Sequence, residues 1–131
     1  MLTKLAVVTI LVRDQDEALQ FYTEKLGLEK MDDMTFGEGN RWLTVTGPKQ
    51  RDVQIFLQKA DSFGVDSMDM VGRAPTWAFN TDNCRATYET LKGRGVKFVS
   101  EPKEQPWGIE AIFEDLYGNK FSIVEEPDSA L

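Results

Sequence analysis

Two segments resemble each other at the predicted starts of two helices: Asp14-Gln15-Asp16-Glu17-Ala18 and Asp82-Asn83-Cys84-Arg85-Ala86. The second begins 68 residues after the first, and the same order of predicted elements surrounds both. A pattern that returns within one chain, in the same context, is typical of a duplicated structural module. The sequence therefore predicts an α+β fold built from two βαβββ modules.

The first module follows from the residues on either side of the first segment. Residues 5–12 are almost continuously apolar, which favours a strand covered on both faces. Asp14 and Glu17 have the spacing of a capping box, and apolar residues recur at helical spacing over 15–26. Three further strands are predicted at 30–36, 41–46 and 53–58.

The second module repeats this order after an irregular connection. Its first strand is predicted at 76–80, with Trp77 buried in it, and its helix at 86–92, capped by Asp82 or Asn83. Its other strands are predicted at 96–99, 109–114 and 120–125. The whole chain, 1–131, is expected to form one domain, with module one at about 4–60, the connection at about 61–74, module two at about 75–126 and a C-terminal tail at 127–131.

Composition narrows the class of protein. The net charge of −7 disfavours nucleic acid as a partner, because binding to phosphates requires clustered Lys and Arg. No apolar run approaches the roughly 20 residues of a membrane helix, and no signal peptide is apparent, so a cytoplasmic protein without membrane contact is expected. The chain has no histidine, which removes the commonest general base and the commonest transition-metal ligand.

Several stretches resemble a known family. Its opening strand and helix are similar to Val8-Thr9-Ile10-Leu11-Val12-Arg13-Asp14, Phe21-Tyr22 and Leu26-Gly27-Leu28. Its closing turn is similar to Glu114-Asp115-Leu116-Tyr117-Gly118-Asn119-Lys120-Phe121, with Leu116 where proline is usual, and Pro106-Trp107-Gly108 is another shared element. On these stretches the chain is identified as a member of the glyoxalase/bleomycin-resistance/extradiol-dioxygenase, or vicinal oxygen chelate (VOC), superfamily.

The resemblance covers about residues 5–126 and implies a fold and an assembly. In that superfamily each βαβββ module is a cupped half-barrel, and paired modules enclose a cavity that binds metal, substrate or drug. Many members form dimers, so a homodimer is expected. Whether the two modules pair within one chain or exchange across a dimer is left open, because both arrangements use the same apolar faces.

The resemblance also identifies the positions of the metal ligands, and in this chain they hold other residues. The four positions fall on Val7, Gln54, Thr76 and Ser122. An aliphatic side chain, an amide and two hydroxyls lack the anionic or imidazole donors that transition metals prefer. No metal ion and no other cofactor are therefore expected.

The predicted function is metal-independent binding of a small molecule, with an aromatic or antibiotic-like compound as the candidate ligand. The residues predicted to line the site are Trp42, Gln54, Thr76, Trp107 and Ser122, and no catalytic residue is assigned. One alternative is a lyase, isomerase or dioxygenase with a displaced metal site at carboxylates such as Glu110 or Glu114. Another is a structural or regulatory dimer in which the cavity is vestigial.

Two weaker features have two interpretations each. Cys84 stands at a helix start, where the helix dipole lowers the pKa of an exposed thiol, or it is an ordinary helix residue with a reduced thiol. Methionines flank the second strand and the connection, where residues 66–73 form either a lid over the cavity or a packed loop; they are Met31, Met34, Met68 and Met70.

Overall fold

The computed structural model describes residues 1–127. Of the predicted C-terminal tail, only Pro127 falls within this range, and residues 128–131 lie outside it. The chain divides into two compact units, of which the first is Met1–Gly72 and the second begins at Arg73. Each unit contains one helix packed with one open four-stranded sheet.

The first unit has the predicted βαβββ order. Its elements are β1 (Val7–Val12), α1 (Gln15–Gln20), a π-helical turn (Phe21–Lys25), β2 (Glu29–Phe36), β3 (Asn40–Gly47) and β4 (Gln50–Lys59). The strands lie in the order β1-β4-β3-β2, with β1 parallel to β4 and the other pairs antiparallel. A short 3-10 turn, Met68–Met70, falls within the predicted connection.

The second unit repeats the arrangement. Its elements are β5 (Trp77–Asn80), α2 (Cys84–Gly93), β6 (Lys97–Gln105), β7 (Gly108–Glu114) and β8 (Lys120–Glu125). The strand order β5-β8-β7-β6 matches that of the first sheet position by position. The α+β fold of two βαβββ modules predicted from the sequence is confirmed.

The internal repeat has a physical cause in the two helix caps. The Asp14 carboxylate accepts a hydrogen bond from the backbone N–H of Glu17 at 2.9 Å. The Asn83 side chain accepts one from the N–H of Ala86 at 3.0 Å, so Asn83 and not Asp82 is the cap of α2. Each cap satisfies a backbone donor that has no partner within its helix.

The two faces of the first sheet differ in character. One face carries the fully buried side chains of Ile10, Val12, Leu43 and Leu57. α1 packs against this sheet and buries Ala18, and each large side chain buried in this way contributes about 1.5–3 kcal/mol to stability. Because strand residues alternate between faces, the opposite face carries Thr9 on β1, Trp42 and Thr44 on β3, and Gln54 and Phe56 on β4.

Three details of the sequence prediction were wrong. β1 is not covered on both faces: it lies at the sheet edge, Leu5 is 65% exposed and Thr9 is exposed. Trp77 is not buried, because β5 is also an edge strand and leaves that side chain 37% exposed. The first helix stops being α-helical at Gln20, and a π-helical turn carries the chain on to Lys25.

Within residues 1–127, no helix combines the length and the apolar character needed to cross a membrane.

Candidate functional site

A chain of hydrogen bonds joins four side chains on the first sheet. The indole N–H of Trp42 donates to the Asp32 carboxylate at 3.1 Å, and the backbone N–H of Asp32 donates to the Thr44 hydroxyl at 3.0 Å. The Thr44 hydroxyl in turn donates to Oε1 of Gln54 at 2.6 Å. Thr44 is fully buried, so its hydroxyl holds these partners in place. Two of the predicted site residues, Trp42 and Gln54, are thereby linked.

This network sets the orientation of the Gln54 amide. A threonine hydroxyl has one hydrogen to donate, and here it is given to Oε1. The amide nitrogen Nε2 is then turned the other way, and the structure gives it no hydrogen-bond partner within residues 1–127. Gln54 therefore presents N–H donors on the sheet face that lies opposite the apolar face packed with α1.

Aromatic rings form a row on the same unit. Trp42 and Phe56 lie 4.4 Å apart between ring centroids and are tilted by 36°. Phe63 lies edge-on to Phe56 at 6.1 Å, and Phe36 follows Phe63 at 5.6 Å. Such geometries are favourable for aromatic pairs. The Phe56 ring is buried, whereas Phe36 and Phe63 are 48% and 39% exposed.

The hairpin that carries Trp42 is fixed to α1 by a charged network. The guanidinium of Arg41 binds both carboxylate oxygens of Asp33, at 2.8 and 2.9 Å, and the carboxylate of Asp16 at 2.7 Å. The hydrogen bond from Arg41, opposed in part by burial, lowers the pKa of Asp33. Gln15 adds hydrogen bonds from its side chain to the backbone oxygens of Arg41 and Leu57. This network positions β3, and with it Trp42.

The residues at the superfamily's metal positions do not fit a metal ion. Val7 and Gln54, two of the positions that the resemblance identifies, are register partners on β1 and β4, and Val7 has no donor atom. Oε1 of Gln54 already accepts the Thr44 hydrogen bond. Thr76 and Ser122 offer only neutral hydroxyls, which are poor ligands for transition metals. Val7 and Gln54 therefore lie side by side where the resemblance expects two metal ligands, but their side chains do not provide the donor atoms that a transition metal prefers.

The second unit places the other predicted residues less closely together. Ser122 is buried on β8 opposite Ala78, and Thr76 is exposed two residues before Ala78. Trp107 lies in the turn between β6 and β7 and is 55% exposed. It is five residues from Ile112, the register partner of Ser122, which corresponds to roughly 16 Å along a strand. Within this unit, Trp107 and Ser122 are not neighbours.

The positions of Glu110, Glu114 and Cys84 do not favour the metal binding and the thiol activation considered for them. Glu110 and Glu114 are four residues apart on β7, about 13 Å along the strand, and Glu114 pairs with Lys97 and Lys120. Within residues 1–127, no group of three or more His, Cys, Asp or Glu side chains has the arrangement of a metal site. Cys84 is fully buried, and this burial raises the pKa of its thiol, which is the opposite of activation by the helix dipole.

Comparison with known proteins identifies the family. The family model of the Glyoxalase/Bleomycin resistance protein/Dioxygenase superfamily matches residues 4–123. The chain belongs to this superfamily. The resemblance seen in the opening strand, the first helix and the closing turn is therefore confirmed.

Several individual proteins are similar to this one over almost the full chain. The crystal structure of UcmS2 is 42% identical, with a TM-score of 0.85, and the match covers 95% of this chain and 98% of that one. The crystal structure of TnmS3, an antibiotic binding protein from Streptomyces sp. CB03234, is 28% identical, with a TM-score of 0.81 and coverage of 96% and 98%. The uncharacterized protein YurT of Bacillus subtilis (strain 168) is 33% identical over 127 residues, covering 94% of this chain and 99% of YurT.

Sequence reasoning missed several residues that support the site. Thr44 and Phe56 had a usable signal, since strand alternation places them on the same faces as Trp42 and Gln54. Asp32 had no distinct signal, because adjacent acidic residues such as Asp32 and Asp33 are usually solvated surface, but its carboxylate accepts the Trp42 hydrogen bond. Phe63 had no signal, because only the folded loop brings it to Phe56.

Proposed function

We propose that this protein binds a small aromatic molecule without a metal ion and without making or breaking bonds. The ligand is an antibiotic-like compound, and Trp42 and Gln54 on the first sheet line its site. The observation that carries the proposal is the change at the metal positions. The resemblance places two metal ligands at Val7 and Gln54, which stand side by side and offer only an aliphatic group and an amide.

The surroundings of Gln54 support binding of an aromatic compound. A few fixed polar groups next to aromatic side chains orient a small molecule in a typical binding site. Half-buried Trp42 supplies ring surface and packs on the buried Phe56 ring, and the Thr44 hydrogen bond fixes the Gln54 amide on the same face. The similarity to TnmS3, described as an antibiotic binding protein, is further support.

Tryptophan fluorescence tests the proposal directly. Purified untagged protein is titrated with a panel of flat aromatic natural products and antibiotics, in the presence of EDTA. We expect saturable quenching with at least one class of compound, because an aromatic ligand that contacts Trp42 changes the indole's surroundings. Unchanged fluorescence across the panel, together with no binding by equilibrium dialysis, would contradict the proposal.

Assembly and location stay predictions. We propose a homodimer in the cytoplasm, which sedimentation velocity and cell fractionation test separately. A monomer at micromolar concentration would contradict the predicted dimer but would leave the ligand proposal intact.

A further inference from the structure

The first sheet has a polar end and an aromatic end on one face. Gln54 and Phe56 alternate onto the same face of β4, two residues apart, so their side chains leave the strand about 7 Å from each other. Trp42 lies against Phe56, and Phe63 continues the row from the loop after β4, with Phe36 beyond it. One flat molecule of two or three fused rings spans that distance.

Phe63 is held in an unusual backbone conformation. It is the one residue other than glycine within 1–127 that has a positive φ, 56°, which is rare and costly for a bulky side chain. Its backbone N–H donates to the Asn40 side chain at 3.0 Å, and its ring contacts Phe36 and Phe56. Asn40 therefore holds Phe63 where its partly exposed ring extends the aromatic row.

The polar end offers donors and no positive charge. Oε1 of Gln54 is engaged by Thr44, so the group that Gln54 presents is its amide N–H. The neighbours of Gln54 on this face are Val7 on β1, Thr44 on β3 and Phe56 on β4, and none of them is positively charged. A matching ligand has an oxygen that accepts a hydrogen bond, and it is not anionic.

Building on the proposed function, we infer that the ligand is a flat, non-anionic compound of fused rings with a carbonyl-type oxygen on its rim. Nε2 of Gln54 donates to that oxygen, and the rings contact Trp42 and Phe63, which both pack against the buried ring of Phe56. Gln54 therefore selects ligands that carry an acceptor oxygen. Phe63 strengthens the binding of any fused-ring ligand, with or without that oxygen.

Two pairs of probes test the inference. Coumarin and naphthalene are both two fused six-membered rings, and only coumarin has a carbonyl oxygen; 9-fluorenone and fluorene form the corresponding three-ring pair. Dissociation constants are measured by equilibrium dialysis for the full chain and for Gln54→Leu, which keeps the side-chain size and removes the donors. Gln20→Leu is the matched control, since Gln20 is an exposed residue of α1.

The quantity compared is the affinity for the carbonyl probe divided by the affinity for its hydrocarbon partner. The change in this ratio between the parent and a variant cancels the difference in hydrophobicity between the probes, as a double-mutant cycle does. We expect Gln54→Leu to lower the ratio about three- to tenfold, the usual net worth of one hydrogen bond, and Gln20→Leu to leave it unchanged. Phe63→Leu should weaken both members of a pair to a similar extent.

Each other outcome has a distinct meaning. If the probes bind but Gln54→Leu leaves the ratio unchanged, the inference is wrong and the proposed function stands. If other aromatic compounds bind and none of the carbonyl probes does, the inference is equally overturned. If no aromatic compound binds at all, the proposed function itself fails. If Gln54→Leu or Phe63→Leu changes the number of subunits in sedimentation, this face is a protein interface, which also overturns the inference.

Discussion

Replacing Thr44 by valine removes the hydroxyl that joins the two halves of the hydrogen-bond network and keeps the side-chain shape. The hydroxyl accepts from the Asp32 N–H and donates to Gln54 Oε1, and Thr44 has no exposed surface through which water could replace it. Losing a hydrogen bond and leaving its partner unsatisfied costs about 1–3 kcal/mol. Because two partners are affected, and half-buried Gln54 can still find water, we expect a loss of about 2–3 kcal/mol in the free energy of unfolding.

Urea unfolding, followed by circular dichroism, measures this loss, and Thr44→Ser is the control. Serine keeps the hydroxyl and removes one methyl group, so it should cost about 1 kcal/mol or less. For a chain of this size, the valine variant should also melt roughly 8–12 °C lower. A valine variant as stable as the parent, or a serine variant that loses as much as valine, would refute the hydrogen-bond network around Thr44.

Three further predictions test other parts of the structure. Gly108→Ala should lose about 2–4 kcal/mol of stability, because its Cβ would stand 2.2 Å from a backbone oxygen at a φ of +137°, whereas Gly93→Ala, with nothing within 4 Å, should be neutral or stabilising in thermal melts. Burial raises the pKa of the Cys84 thiol, so a disulfide reagent at pH 8 should label it only after urea unfolds the chain; rapid labelling of the folded protein would contradict its burial. The hydrogen bond from Arg41 lowers the folded-state pKa of Asp33, so the stabilisation from this carboxylate is present at neutral pH and is lost as the pH falls below about 4. Asp33→Asn should therefore flatten the acid dependence of the unfolding free energy by about 0.5 kcal/mol. An unchanged pH profile in the variant would contradict this prediction.

The fold was predictable because its signals are local. Helix caps at Asp14 and Asn83, apolar periodicity and turn residues each fix a short segment, and the duplicated order fixes how the segments join. The exposure of Trp77 was not predictable, because the apolar residues around it fit a buried central strand and an exposed edge strand equally well. The continuation of the first helix by a π-helical turn had no signal in the apolar spacing either.

The candidate site was predictable only in part. Val7 and Gln54 were placed by comparison with family positions, and the register of β1 and β4 makes them neighbours. The partner of Gln54 depends on how β3 and β4 align, which sequence periodicity does not determine, so Thr44 was missed. Phe63 depends on a left-handed backbone held by a side chain 23 residues away, a contact that no local pattern encodes.

The central claim is that ligand binding by this protein needs no metal, and one measurement tests it most directly. The protein is incubated with excess nickel, zinc, manganese and iron(II), desalted, and assayed for bound metal and for ligand affinity by tryptophan quenching, beside a sample kept in EDTA. Metal-independent binding predicts substoichiometric metal and the same dissociation constant in both samples. One ion per chain, with quenching that disappears in EDTA, would contradict the claim and would show that the side chains at Val7, Gln54, Thr76 and Ser122 do not decide metal binding.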